Sequence, residues 1–358
     1  MPCSCQRFAR HTRLFFIGNL LFVAADTPAP IKRANKAAVS PSMLQTESKS
    51  GSQKYFFLHI PKTAGTSLAS DLPRAIGLRP CNMLRCSTRQ KINLNRRDCD
   101  VGGCEGHLPW LMQHLTTPSP PRLITILRRP IDMARSMFAH CERYTEQRYN
   151  ESWFDFHGWI DTSVSHLKNS HRSEEAQLVT LRDRHGRPLA GHRSLFNFCP
   201  YPAHNPQATR LVLHRARDAF TTVWQPSLVD TAVRTVSDAF HVGVTDYYSA
   251  SLCLLAAKLD IMNLRSNPKL RNCDCRSQEQ TPRLGKAPKV VGTLSPRTQT
   301  HFHKRISTEL SSITLSQVSA LNAVDELLYS HALSRLEREL RPVNLACLLD
   351  VEGWRKEQ

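Results

Sequence analysis

Apolar positions gather into a few short runs separated by long polar stretches. Residues 55–60, YFFLHI, form an aromatic and β-branched run of the kind that fills a buried strand. Pro61 stops it, and Lys62-Thr63-Ala64-Gly65-Thr66-Ser67 follows. Residues 67–76 read as a helix that Gly77 ends and Pro73 can kink. Residues 122–127 make a second strand, running into Arg128-Arg129-Pro130 and then a helix over 131–144 with Pro130 placed at its start. Residues 209–213 and 241–244 read as two further strands with a helix between them near 227–240. Residues 247–264 are helical by periodicity. The strongest helical tract is 313–340, where Ala320, Leu321, Val324, Leu327, Leu328, Ala332 and Leu336 recur at helical spacing. Residues 81–104 and 266–286 read as loops, and 142–202 as irregular apart from a patch at 153–160. Strands alternating with helices predict an α/β fold, a P-loop-like three-layer sandwich with a central, largely parallel sheet.

The first 53 residues stand apart from this pattern. Arg7, Arg10 and Arg13 precede an apolar run at 14–25, LFFIGNLLFVAA. The run is shorter than the roughly 20 residues of a comfortable membrane span and has the length of a signal-peptide core, or of a short signal anchor with its basic end in the cytosol. Residues 26–53 hold Pro, Ala, Ser, Thr and Lys with few large apolar side chains, and read as a stem or linker. The folded domain is expected over 54–345, with a tail at 346–358.

Charge and cysteine content narrow the partners. The 358 residues carry 48 Lys+Arg against 30 Asp+Glu, a formal +18, which calls for an anionic partner. No zinc-finger spacing, RNA-recognition signature or dense basic helix directs that charge to nucleic acid. The basic stretches 79–97 and 166–193 suit an acidic glycan or plain solvation equally. Twelve cysteines, with Cys81, Cys86, Cys99 and Cys104 crowded together and Cys273 near Cys275, suit disulfides in an oxidising lumen. The sequon Asn150-Glu151-Ser152 fits the same compartment.

Two candidate anion sites stand at strand ends. At the first, small residues and hydroxyls from Lys62 to Ser67 let backbone N–H groups close on a phosphate at a helix start. It is no Walker A box, since the lysine precedes the glycine. At the second, Arg128 and Arg129, with Ser136 on the next helix, offer the planar fork that binds phosphate bidentately. Parallel sheets bind ligands at the carboxyl ends of their strands, so a ligand with phosphates at both ends would span the two.

With these motifs the chain resembles the membrane-associated carbohydrate sulfotransferases, the group that holds the heparan sulfate 6-O- and 2-O-sulfotransferases. FFLHIPKTAGTSL at 56–68 looks like their 5′-phosphosulfate loop and ITILRRPIDMARSMF at 124–138 like their 3′-phosphate motif, Arg128 and Ser136 matching its arginine and serine. HVGVTDYYSASLCLL at 241–255 and LNAVDELLYSHALSRLERELR at 321–341 are similar to the later segments, with Asp246 where a glutamate is common. Arg129 departs from several relatives, which carry an acid or a small residue there.

The resemblance implies 3′-phosphoadenosine 5′-phosphosulfate (PAPS) as donor, a glycan acceptor, no metal, and a Golgi-lumen enzyme held to the membrane by its N-terminal segment or secreted if that segment is cleaved. Lys62 is then expected at the leaving phosphate's bridging oxygen, with Thr63, Ala64, Gly65, Thr66 and Ser67 around the 5′-phosphate. His107 matches the position of the family's histidine base, with Glu105 in reserve. His59 is expected in packing or behind the site, and His140 on a helix surface. Two other readings stay open: a non-catalytic binder of anionic polysaccharide, and a kinase that uses Lys62-Thr63 with a metal.

Overall fold

The computed structural model describes, with short interruptions, residues 53–83, 92–149, 155–169, 203–259 and 310–349, together with a few isolated positions such as Cys199, Cys273 and Cys275. The expected leader, most of the stem, the sequon, Cys86, the loop at 276–286 and most of the polar region 170–202 lie outside the described residues.

Strand β1 (Tyr55–His59) is central because its side chains can be buried on both faces: Phe56, Phe57 and Leu58 have no exposed surface. It pairs in parallel with β4 (Val101–Glu105) on one side and β6 (Arg122–Leu127) on the other. β2 (Pro80–Met83) and β7 (His241–Val244) are the outer strands. The sheet order is β2-β4-β1-β6-β7, all parallel, with helices flanking it as a three-layer α/β sandwich. A separate parallel pair joins β3 (Ile92–Asn93) to β5 (Leu115–Thr116).

Helices follow the strands: α1 (Gly65–Asp71), continued by a π-turn over Leu72–Ile76, α2 (Leu108–His114), α3 (Pro130–Tyr149) and α4 (Phe156–Asn169). After these come α5 (Pro206–Val212), α6 (Pro226–Asp238), α7 (Tyr248–Lys258), α8 (Ser312–Leu321) and α9 (Ala323–Leu340). The chain after β1 leaves toward β2, and the chain after β6 leaves the opposite way toward β7. The carboxyl ends of β1 and β6 are therefore the switch point, where an open α/β sheet forms its crevice.

Four expectations need correction, the first being that 142–202 is irregular: α3 runs on to Tyr149 and α4 covers Phe156–Asn169. Residues 81–104 are not a loop throughout, since β2 and β4 lie at its ends. Their signals are weak because β4 carries Gly102-Gly103 and β2 is an edge strand opening on proline. A side chain at position 103 would put its Cβ 2.5 Å from the Phe57 carbonyl oxygen, so the close pairing of β4 with β1 needs that glycine. The stretch 209–213 is helical: α5 begins at Pro206, and Asn205 takes the left-handed conformation (φ 43°) at its cap. The long terminal helix is two helices that meet at buried Asn322.

Four disulfides hold the described part, Cys81–Cys99, Cys141–Cys199, Cys253–Cys273 and Cys275–Cys347. They indicate a secreted or lumenal location. The last one pins the chain past residue 345, where Leu348 is still buried, so packing continues into the expected tail. Among the described residues no helix is long and apolar enough to cross a membrane.

Candidate active site

The loop after β1 is shaped by its backbone. Lys62 (φ 66°) and Ala64 (φ 63°) both take the left-handed conformation, which costs a non-glycine residue of order 1 kcal/mol and clusters at functional sites. Two hydroxyls hold it there. Thr63 Oγ1 donates to the Ile60 carbonyl at 2.8 Å in the interior, and Thr245 Oγ1, just past β7, lies 3.2 Å from Thr63 O and 3.0 Å from Leu127 O. One threonine thus ties the loop to the end of β6. The Thr63 hydroxyl is consumed inside, while Thr66 is exposed and Ser67 half-buried. Gly65 opens α1 against the His59 ring, where a Cβ would sit 1.7 Å from His59 Cδ2. The first helical amide to bond back is Leu68 N–H, to Ala64 O at 3.1 Å; those before it have no carbonyl one turn behind.

Arg128 leaves the end of β6 and is buried, with Nη1 donating to Lys62 O at 3.0 Å. The two strand ends expected to face one ligand are therefore bonded to each other. Burial lowers the pKa of Arg128, and burial followed by the charge of Arg128 lowers that of Lys62, against the pull of Glu105. Arg129 turns elsewhere. Its guanidinium lies 3.4 Å from Asp246 and 3.4 Å from Asp132, and Asp246 also accepts from Tyr329 OH at 2.8 Å. Ser136 sits half-buried two turns into α3.

His107 precedes α2 with extended backbone and is buried to 6% exposure. Its Nδ1 lies 3.1 Å from Leu213 O and 3.3 Å from Thr209 O, both at the end of α5. Carbonyls only accept, so Nδ1 carries the hydrogen and Nε2 is left with its lone pair. Nε2 is itself buried and has no hydrogen-bond partner. Burial, then the charge of Arg210, lowers His107 to about 4, against the pull of those carbonyls. His107 is thus held neutral, with Nδ1–H anchored on the two carbonyls and the Nε2 lone pair turned into the interior.

Arg210 of α5 escaped the sequence reading. Its Nη2 lies 3.9 Å from Glu105 Oε1 at the end of β4, and its charge reaches both His107 and His59. His59 stacks on Phe57, lies under Gly65, and is lowered to about 4 by burial, Arg210 and Lys62. His140 is exposed on the surface of α3 as expected, and partial desolvation followed by the charge of Lys62 lowers its pKa. The structure thus gathers Lys62, Arg128, His107 and Glu105 at the strand ends and adds Arg210. The signal for Arg210 was present in Asn205-Pro206, a helix start that places it on the same short helix as the His107 anchors. The chain matches no family model and no curated protein.

Proposed function

We propose that the chain is a PAPS-dependent sulfotransferase acting on a carbohydrate hydroxyl. The observation that carries this is the bond from Arg128 to the Lys62 carbonyl, which joins the two strand ends whose sequences read as anion sites. The first-turn amides of α1 with Thr66 and Ser67 suit the 5′-phosphosulfate, and Arg128 with Ser136 the 3′-phosphate. His107 Nε2 takes the proton of the acceptor hydroxyl as its oxygen bonds to sulfur. The bond from sulfur to the phosphate oxygen breaks, and Lys62 offsets the charge that develops on that oxygen. Glu105 then bears on Lys62 and Arg210 as a counter-charge instead of serving as the base. Arg129, held by two carboxylates, has a structural part.

The disulfides agree with the Golgi lumen, where the N-terminal segment would act as anchor or leader. The kinase reading loses support because Thr63, which would have to meet a metal, is fully buried and bonded to Ile60. The test is transfer from labelled PAPS to a panel of sulfate-free glycans. Labelled product is expected, and Lys62→Ala should lose transfer by roughly 10²–10³-fold while retaining glycan binding. No transfer to any glycan, together with no binding of adenosine 3′,5′-bisphosphate, would refute the proposal.

A further inference from the structure

Arg128 is the first residue past the sheet ladder: the register of β6 with β7 ends at Leu127↔Val244, and that with β1 ends at Thr125. No neighbouring strand therefore orients its peptide groups. A side chain does so instead. Gln207, fully buried on α5, accepts the Arg128 N–H at Oε1 (2.8 Å) and donates from Nε2 to the Arg128 carbonyl (2.9 Å). These are the two bonds a paired strand residue would make, and they set the direction in which the arginine side chain departs.

Gln207 is anchored in turn. Its own N–H donates to Asp325 Oδ2 at 2.9 Å and that of Ala208 to Asp325 Oδ1 at 2.8 Å, so the first turn of α9 caps α5. The favour is returned by Asn205, whose Oδ1 accepts from Val324 N–H (3.0 Å) and Asp325 N–H (3.1 Å). An apolar side chain in the space of Gln207 would leave the buried Arg128 N–H and carbonyl without partners, so the glutamine satisfies that peptide and fixes its direction together.

We propose that Gln207 is a positioning residue for nucleotide binding: it substitutes for the missing ladder and directs Arg128 at the 3′-phosphate. This rests on the reading of Arg128 as a phosphate ligand. The test compares adenosine 3′,5′-bisphosphate with adenosine 5′-monophosphate by calorimetry on the full chain, alongside thermal melting. Wild type is expected to prefer the bisphosphate. Gln207→Met should reduce that preference by about tenfold while 5′-monophosphate affinity stays nearly constant, because a misaimed arginine loses its charge-assisted bonds to one phosphate only. Gln207→Glu keeps an acceptor for the Arg128 N–H but loses the donor, so it should fall between the two; if Gln207→Met does not fold, this variant decides. An unchanged preference, or both ligands weakened in proportion as the protein melts earlier, overturns the proposal. A wild type indifferent to the 3′-phosphate refutes the reading of Arg128 and leaves that outcome distinct.

Discussion

Replacing His107 with asparagine removes its proton-accepting nitrogen while keeping an amide N–H that can donate to Thr209 O and Leu213 O. Two consequences follow from one ring. As a general base, His107 should contribute about 10²–10⁴-fold to turnover, and His107→Asn should lose that factor with nucleotide affinity intact. The second consequence needs no knowledge of the acceptor. In the folded protein the ring is lowered to about 4, against 6.5 for an unburied histidine. Below pH 6.5 the unfolded chain binds a proton that the folded chain refuses until about pH 4. The stability that neutral His107 supplies is therefore whole above 6.5 and is lost as pH falls between those values. With 1.36 kcal/mol for each pKa unit, the loss at pH 4.5 is roughly 2–3 kcal/mol.

Urea unfolding of wild type and of His107→Asn at pH 7 and at pH 4.5 measures this directly. The variant should lose less stability on acidification than wild type by about that amount, roughly 2–3 kcal/mol, with His59 and His241 supplying acid sensitivity to both. Equal losses in the two proteins would mean that His107 is not a buried neutral ring. The lone pair assigned to Nε2 would then have no support. The acid limb of wild-type kcat/KM should correspondingly lie near pH 4 instead of near 6.5.

Arg210→Ala removes the second-largest cause that holds His107 and His59 down, so both pKa values should rise toward the ordinary histidine value. The acid limb of activity, and the histidine titration followed by NMR, should move to higher pH. Gly65→Ala drives a methyl into the His59 ring, and with no slack in the loop it should cost about 1–3 kcal/mol by urea unfolding and weaken nucleotide binding. Arg335, buried on α9, donates to the carbonyls of Val236 (2.6 Å), Ser237 (3.0 Å) and Ala239 (2.7 Å) at the end of α6 and pairs with Glu339. Arg335→Leu strands those acceptors and should cost about 3 kcal/mol in unfolding free energy, with nucleotide affinity in the surviving protein unchanged.

How far the fold was legible follows from what each element depends on. β1, β6 and β7 are continuous apolar runs because both of their faces are covered, and such runs announce themselves. β4 does not, because its contribution to the sheet is the absence of side chains at Gly102 and Gly103, and absence reads as loop. The break at Asn322 was hidden for a different reason. The periodicity of apolar residues runs through it, and only the bonds of its side chain to Val318 O and from Asn205 N–H show that one helix has ended and another begun.

The site divides along the same line. Lys62 and Arg128 stood out because each combines a local strand end with a charge, and both signals lie within a few residues. α5 combined nothing local. Its TRLVL stretch looks like a strand, and it is helical because Pro206 opens it and because Asp325, over a hundred residues later, caps it. That one short helix nevertheless holds the His107 tautomer through Thr209 and Leu213, supplies Arg210, and grips Arg128 through Gln207. Charged groups that meet a ligand are marked by their own chemistry. The neutral groups that aim them are marked only by their partners, and for Gln207 the partners lie at residues 128 and 325. A motif can thus locate the charged strand ends at Lys62 and Arg128, but the direction of the Arg128 peptide and the tautomer of His107 depend on α5, which Asp325 of α9 caps.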